Sequence, residues 1–241
     1  MFDVCVNCSG SANVSNSITH PRRDFLLNTA NVFSILDAIR EYNPECKFLN
    51  ISSAAVYGRP VELPIGESCE LNPISPYGTH KKLAEEICSE FFNYFNIKTC
   101  SIRIFSAFGP GLKKQLFWDI YKKSKIGNEI KLFGDGKESR DFIYIQDIVV
   151  AVEKIVNNAD FKGECINVSS GIETTIKEAA ETFINIINPN IKIVFNNIVR
   201  EGDPKNWKAN INKIKSIGFA PKIFLKEGLT NYYQWLTKEK L

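Results

Sequence analysis

Two short apolar runs, Cys46 to Ile51 and Ile97 to Phe105, stand on either side of a longer stretch, Pro76 to Phe95, with helical periodicity. Strand, loop, helix, strand is a βαβ unit, and such a unit builds a parallel sheet whose crossover helices cover its faces. The same alternation continues in both directions. Phe2 to Cys8 reads as a short buried strand and Ser9 to Thr19 as a polar loop. Pro21 to Tyr42 reads as a helix, with Phe25, Leu26, Ala30, Phe33, Leu36 and Ile39 at helical intervals. Further on, strands are expected at Ile130–Phe133, Asp141–Ile145, Glu164–Val168 and Ile191–Phe195. Helices are expected at Gln115–Lys125, Gln146–Asn157, Thr174–Ile187 and Lys226–Leu236. The pattern predicts an α/β chain with a doubly wound parallel sheet.

The central helix carries chemistry. Tyr77 and Lys81 lie at i and i+4, so they share one face. An ammonium one turn from a phenol favours the phenolate and lowers the tyrosine pKa from about 10, which makes a general base usable near neutral pH. The ordinary alternative is an exposed Tyr and Lys on an amphipathic surface. Upstream, the strand at Cys46–Ile51 runs into Ser52-Ser53-Ala54-Ala55-Val56-Tyr57-Gly58. A serine there stands at the carboxyl end of a parallel strand, where open α/β sheets bind ligands.

Five segments occur in a fixed order: S-S-A-A-V-Y-G, P-Y-G-T-H-K, R-I-F-S-A-F-G-P-G, R-D-F-I-Y-I-Q-D and R-E-G-D-P. In these motifs, over nearly the whole chain, the sequence resembles the extended short-chain dehydrogenase/reductase family, the NAD-dependent sugar-nucleotide epimerases and dehydratases. The resemblance implies a Rossmann-like sheet with a smaller C-terminal substrate-binding lid. Residues 1–105 and 141–170 would form the NAD-binding and catalytic part, and 106–140 and 171–241 the lid. Ser53 would hydrogen-bond the sugar oxygen undergoing oxidation, Tyr77 would take its proton, and Lys81 would hold the nicotinamide ribose. Asn28 would support the tyrosine and lysine through a water; an exposed helix asparagine is the plainer reading. Phe105 would border the cofactor. Ser106, Arg140, Arg200 and Asp203 would contact the substrate, the arginines as guanidinium forks on its diphosphate. NAD is the implied cofactor, with NADP left open. The implied substrate is a nucleotide-sugar, the implied setting polysaccharide biosynthesis, and the implied assembly a homodimer through the helices bearing Asn28 and Tyr77.

The residues narrow the reaction. Ala54 and Ala55 follow Ser53 where water-eliminating relatives carry acidic residues, so a dehydratase is disfavoured. A 4-epimerase working through a transient keto-sugar is favoured, with a nucleotide-sugar ketoreductase as its neighbour. Ser106 replaces the family's asparagine and cannot make the amide's paired contacts, so the sugar or its phosphates would be held differently. One family part has no counterpart: no G-x-x-G-x-x-G turn opens the sheet. The expectation is a chain lacking the N-terminal strands, with one sheet edge left unpaired at Val4 and Val6. A non-catalytic remnant or nucleotide-sugar-binding module is therefore the second hypothesis.

Composition excludes other classes. In 241 residues, 44% are hydrophobic and 24% charged, and the net charge of +3 is too small to argue for nucleic acid. No apolar run is long enough for a membrane helix. The seven cysteines, an odd number, lie mostly in expected strands and helices and suit a reducing cytoplasm. Cys5 and Cys8 have C-x-x-C spacing, but on one strand they would point to opposite faces, and only two histidines, His20 and His80, are present.

Overall fold

A computed structural model describes residues 1–198 and 205–239. In chain order its first half comprises β1 (Val4–Asn7), α1 (Val14–Thr19), α2 (Pro21–Phe25), a π turn (Leu26–Ala30), α3 (Asn31–Tyr42), β2 (Lys47–Ser53), a 3-10 turn (Ala54–Tyr57) and α4 (Pro76–Phe95). Then come β3 (Thr99–Ile104), β4 (Ser106–Phe108), α5 (Gln115–Ser124), β5 (Glu129–Leu132), β6 (Ser139–Tyr144), α6 (Ile145–Asn158) and β7 (Lys162–Val168). The chain continues with β8 (Glu173–Thr175), α7 (Ile176–Ile187), β9 (Lys192–Phe195), α8 (Asn212–Ser216) and α9 (Leu225–Lys238).

The main sheet has the order β1-β2-β3-β7 and is parallel throughout. Its faces are both covered. On one side Leu36 of α3 and Ala84, Cys88 and Phe91 of α4 pack against Phe48 of β2. On the other, Ile148, Ala151 and Ile155 of α6 pack against Leu49, Cys100, Ile102 and Ile166 of the strands. This is the doubly wound arrangement that the alternation demands. β1 is an edge strand of this sheet, as expected, and Val6 is partly exposed on it.

A second core gathers Phe108, Phe117, Phe142, Phe183, Leu229 and Tyr232, beneath α5, α7 and α9. It is organised by two small sheets, β4-β6-β8 and β5-β9. Here the structure corrects the expected layout. The return to the main sheet is made by β7, whereas β6 pairs in parallel with β4 and antiparallel with β8.

The helix α4 has the bounds read from the sequence because its ends are set locally. The Ser75 hydroxyl accepts the Gly78 N–H and Pro76 occupies the first helical position. Asn96, in the left-handed region at φ 56°, stops the helix. Its buried stripe is Tyr77, Gly78, Lys81, Ala84, Glu85, Cys88 and Phe91, so Tyr77 and Lys81 lie on the inward face. The surface alternative for them is thereby excluded.

Two local expectations give way. Ser9 to Thr19 contains the short helix α1, capped by Asn13, whose side chain accepts the Asn16 N–H; with only Val14 and Ile18 apolar it has no periodicity to read. The single helix expected from Pro21 to Tyr42 is interrupted by the π turn, which turns Asn28 and Thr29 inward. No helix among the described residues is long and apolar enough to cross a membrane.

Candidate active site

Ser53 ends β2 in extended conformation and caps the 3-10 turn, its hydroxyl accepting the Ala55 N–H at 3.2 Å. The same hydroxyl lies on the cleft wall beside the phenol of Tyr77, close enough to favour its ionised form. Their meeting depends on Gly78. A Cβ at that position would lie 2.6 Å from the Ala55 carbonyl oxygen and 2.9 Å from Pro73 Cβ. Only glycine lets the first turn of α4 lie against the turn after β2. The Tyr77 N–H in turn donates to the Ser17 hydroxyl of α1 at 3.1 Å.

Lys81 completes the convergence from behind. Its ammonium donates to the Ile51 carbonyl at 2.8 Å, two residues before Ser53 on the same strand. Burial pushes its pKa down to about 8, against the attraction of Asp24 and Glu85 and a smaller effect of Cys88. The Tyr77 phenol is pushed up: burial dominates, the neighbouring Ser53 hydroxyl opposes it, and Asp24 adds to it. The expected lowering by Lys81 is not what governs the phenol. Helical spacing brings the two residues to one face, but the loss of water around a nearly buried phenol outweighs the neighbour, whose ammonium is turned to Ile51.

Asn28 is buried in the π turn. Its Nδ2 donates to the Ser11 carbonyl at 3.0 Å and to Asp24 Oδ1 at 3.1 Å, and its Oδ1 accepts the Ser11 N–H at 3.2 Å. Its direct partners are thus the loop after β1 and Asp24, and its amide makes no direct bond to Tyr77 or Lys81. Gly10, at φ 115°, makes the clasp feasible: a Cβ there would stand 2.7 Å from Asn28 Oδ1.

Ser53 and Tyr77 open into a cleft of about 1370 Å³ between the main sheet and the second core. Phe105, Ser106 and Arg140 also line it; Lys81 does not. Arg140 Nη1 donates to the Ser139 and Lys205 carbonyls at 2.8 and 3.3 Å, and its guanidinium lies 5.7 Å from the centre of the Trp207 ring. Phe105 meets Trp207 edge to face at 6.0 Å. Among the described residues, seven basic side chains line the cleft (Arg59, Lys113, Lys114, Lys122, Lys137, Arg140 and Lys205) against three acidic ones, Asp119, Asp135 and Glu138. That balance favours an anionic occupant. Arg200 and Asp203 lie outside the described residues.

A buried polar row beneath the site went unread in the sequence. Ser52, Arg103 and Asn167 are in register across β2, β3 and β7. Glu85 of α4 accepts Ser52 Oγ at 2.5 Å and pairs with Arg103 Nη2 at 2.8 Å, both side chains about 5% exposed or less. Arg103 Nη1 donates to the Tyr57 hydroxyl at 2.9 Å, which donates to Asn167 Oδ1 at 2.7 Å. The available signal was spacing: Glu85 stands one turn beyond Lys81 on the same stripe. All seven cysteines are free, Cys8 lies beyond the end of β1, and the described residues hold no metal-binding group of three or more His, Cys, Asp or Glu.

Residues 1–169 match the model of the NAD dependent epimerase/dehydratase family. The chain belongs to this family. Over 239 residues it is 30% identical to a putative UDP-glucose 4-epimerase of Methanocaldococcus jannaschii, a match covering 97% of this chain and 77% of the relative. Solved structures of family members superpose closely. The UDP-N-acetylglucosamine 4-epimerase of Methanobrevibacter ruminantium M1, in complex with UDP-N-acetylmuramic acid, is 26% identical at a TM-score of 0.90, covering 98% of this chain and 77% of that one. The UDP-glucuronic acid 4-epimerase of Bacillus cereus, in complex with UDP-glucuronic acid and NAD, is 25% identical at a TM-score of 0.90, covering 98% and 76%. The epimerase/dehydratase fold of this chain is the Rossmann-like one that its sequence implies.

Proposed function

We propose that the cleft over Ser53 and Tyr77 takes a nucleotide-sugar and inverts its C4 hydroxyl by way of a transient keto-sugar. The observation that carries this is the placing of Ser53 and Tyr77 together on the wall of a basic cleft. The hydroxyl of the sugar binds between the two. Tyr77 takes its proton as the carbonyl forms and returns it when the alcohol reforms; Ser53 holds the oxygen and shares the proton. NAD, when bound, supplies the acceptor for the hydride and gives it back. Lys81, anchored on Ile51, fixes the end of β2 and holds positive charge behind the phenol. Arg140, braced by two carbonyls and Trp207, faces the diphosphate, with Arg200 and Asp203 as its proposed companions. The segments 106–140 and 171–241 form the lid over the sugar. Ala54 and Ala55 offer no acid for eliminating water, and this chain's similarity to UDP-sugar 4-epimerases of known structure supports inversion.

The fit to NAD is partial. Tyr77 and Phe105, on the cleft wall, suit the nicotinamide end, whereas Lys81 is turned away to Ile51, and these 241 residues contain no G-x-x-G-x-x-G turn to receive the pyrophosphate. That supports a second reading, a nucleotide-sugar-binding module without turnover. One experiment separates the two: incubate the protein with millimolar NAD and UDP-glucose, UDP-N-acetylglucosamine or UDP-glucuronic acid, and follow the anomeric proton by NMR. The C4 epimer of one of them is expected. Binding of the sugar nucleotides with no epimer formed from any would establish the module.

A further inference from the structure

Tyr77 stands in the first turn of α4, where backbone N–H groups have no partner within the helix. Its neighbours are provided for locally. Pro76 has no N–H, and the Gly78 N–H donates to the Ser75 hydroxyl at 3.1 Å. The Tyr77 N–H donates instead to the hydroxyl of Ser17, 60 residues earlier in the chain, at 3.1 Å. Both residues are shielded from water, Ser17 fully and Tyr77 at 7% exposure, so no solvent molecule replaces the bond. The Ser17 hydroxyl is itself held, because it donates to the Val14 carbonyl at 2.6 Å.

The segment that carries Ser17 is fixed along its length. Asn28 clasps Ser11 by both its N–H and its carbonyl. Lys114, at the start of α5, donates to the Ala12 carbonyl at 3.1 Å. Between these ties and Ser17, the residues Ala12, Asn13, Val14 and Ser15 form part of the cleft wall. The Ser17 hydroxyl therefore joins a wall of the cleft to the backbone of the residue that bears the phenol. The N–H and the side chain of Tyr77 leave the same Cα, so an error in how the N–H is held is carried outward to the phenol oxygen. Misplacing a reacting group by about 1 Å can cost roughly 10²-fold in rate.

We propose that Ser17 is a positioning residue for the reaction: its hydroxyl sets the backbone of Tyr77 and, with it, the place of the phenol relative to Ser53. The proposal rests on the reading of Tyr77 as the base, but one arm of its test needs no turnover. That arm is NMR of protein made with isotope-labelled tyrosine, in which the Tyr77 signals are identified by their loss in Tyr77→Phe. The change that Ser53→Ala causes in the Tyr77 ring signal is measured with and without the Ser17 hydroxyl. In the Ser17→Ala background it is expected to fall to roughly half or less. The second arm is kinetic. For whichever sugar nucleotide is epimerised, Ser17→Ala lowers kcat by about 10²-fold and leaves Kd unchanged. The same substitution made in Tyr77→Phe costs little more, because Ser17 acts only through the phenol.

A serine that only stabilised α1 would lower Tm and leave the response to Ser53→Ala intact. A response of the same size in both backgrounds, zero included, overturns the proposal. If Ser17→Ala does not fold, amide exchange in the unsubstituted protein decides: a Tyr77 amide lost as fast as an unstructured one overturns it, and a protected amide upholds it. A diminished response with no sugar nucleotide epimerised would count against the proposed reaction and leave the hold of Ser17 on Tyr77 standing. Epimerisation with kcat unmoved in Ser17→Ala would do the reverse.

Discussion

Lys81 shows what a function can cost a fold. Its pKa falls from 10.5 to about 8 because the ammonium is buried. The unfolded chain therefore holds that proton more tightly than the folded one between pH 8 and 10.5. The burial penalty is fully present below pH 8 and is relieved as pH rises from 8 to 10.5. At about 1.4 kcal/mol per unit, the penalty is on the order of 3 kcal/mol. Lys81→Met should accordingly raise Tm at pH 7, with the gain over the unsubstituted protein shrinking towards pH 10.5, while abolishing turnover. Thermal melts of both proteins across that range test this; a lower Tm for Lys81→Met at pH 7 would mean that the ammonium is a net stabiliser. At this scale the sequence was legible where a motif pins a residue, as at Ser53 and Tyr77. It was illegible where the environment decides. Spacing reveals that Lys81 neighbours Tyr77 but not that both lose their water, and it places Asn28 in the Pro21–Tyr42 stretch without revealing the π turn that holds it or Ser11 and Asp24 as its partners.

At the scale of elements, α4 is held to the sheet by apolar contacts and by one ion pair. Ala84, Cys88 and Phe91 fill the interface with α3 and β2. Glu85 and Arg103, both buried, fix the helix along its axis relative to β2 and β3. Breaking the pair strands a charge, which costs about 3–5 kcal/mol, whereas replacing both partners by apolar groups is often nearly neutral. Arg103→Met alone should lower stability by that amount in urea unfolding, and the double variant Arg103→Met with Glu85→Leu should regain most of it. Equal losses in the single and double variants would show that the pair contributes by shape rather than charge. The bounds of α4 could be read because Ser75, Pro76 and Asn96 act within one turn. The short β4, β8 and α8 could not, since β4 and β8 exist through their pairing with β6 and α8 spans only five residues. The π turn escaped because one added residue scarcely alters a helical period.

For the whole molecule, alternation alone foretold the parallel sheet with helices on both faces. The second core was foretold only through resemblance, and the partnership of β6 with β4 and β8 depends on contacts that no local pattern encodes. NAD binding is a property of this scale too. A pyrophosphate cradle supplies several charge-assisted hydrogen bonds of roughly 1.5–3 kcal/mol each, and every 1.4 kcal/mol is about tenfold in affinity. With no Gly-rich turn among its 241 residues, the chain should bind NAD only in the millimolar range by calorimetry; micromolar binding would reveal a phosphate site elsewhere in it.

The claim at the centre of this account is that the Tyr77 phenol moves the sugar's proton. It is tested most directly by comparing the unsubstituted protein with Tyr77→Phe, at millimolar NAD, for both epimer formation and UDP-sugar affinity. The account predicts that kcat falls by about 10²–10⁴ while the sugar-nucleotide Kd stays unchanged, because the phenol acts in the chemical step. An unchanged kcat in Tyr77→Phe would contradict it.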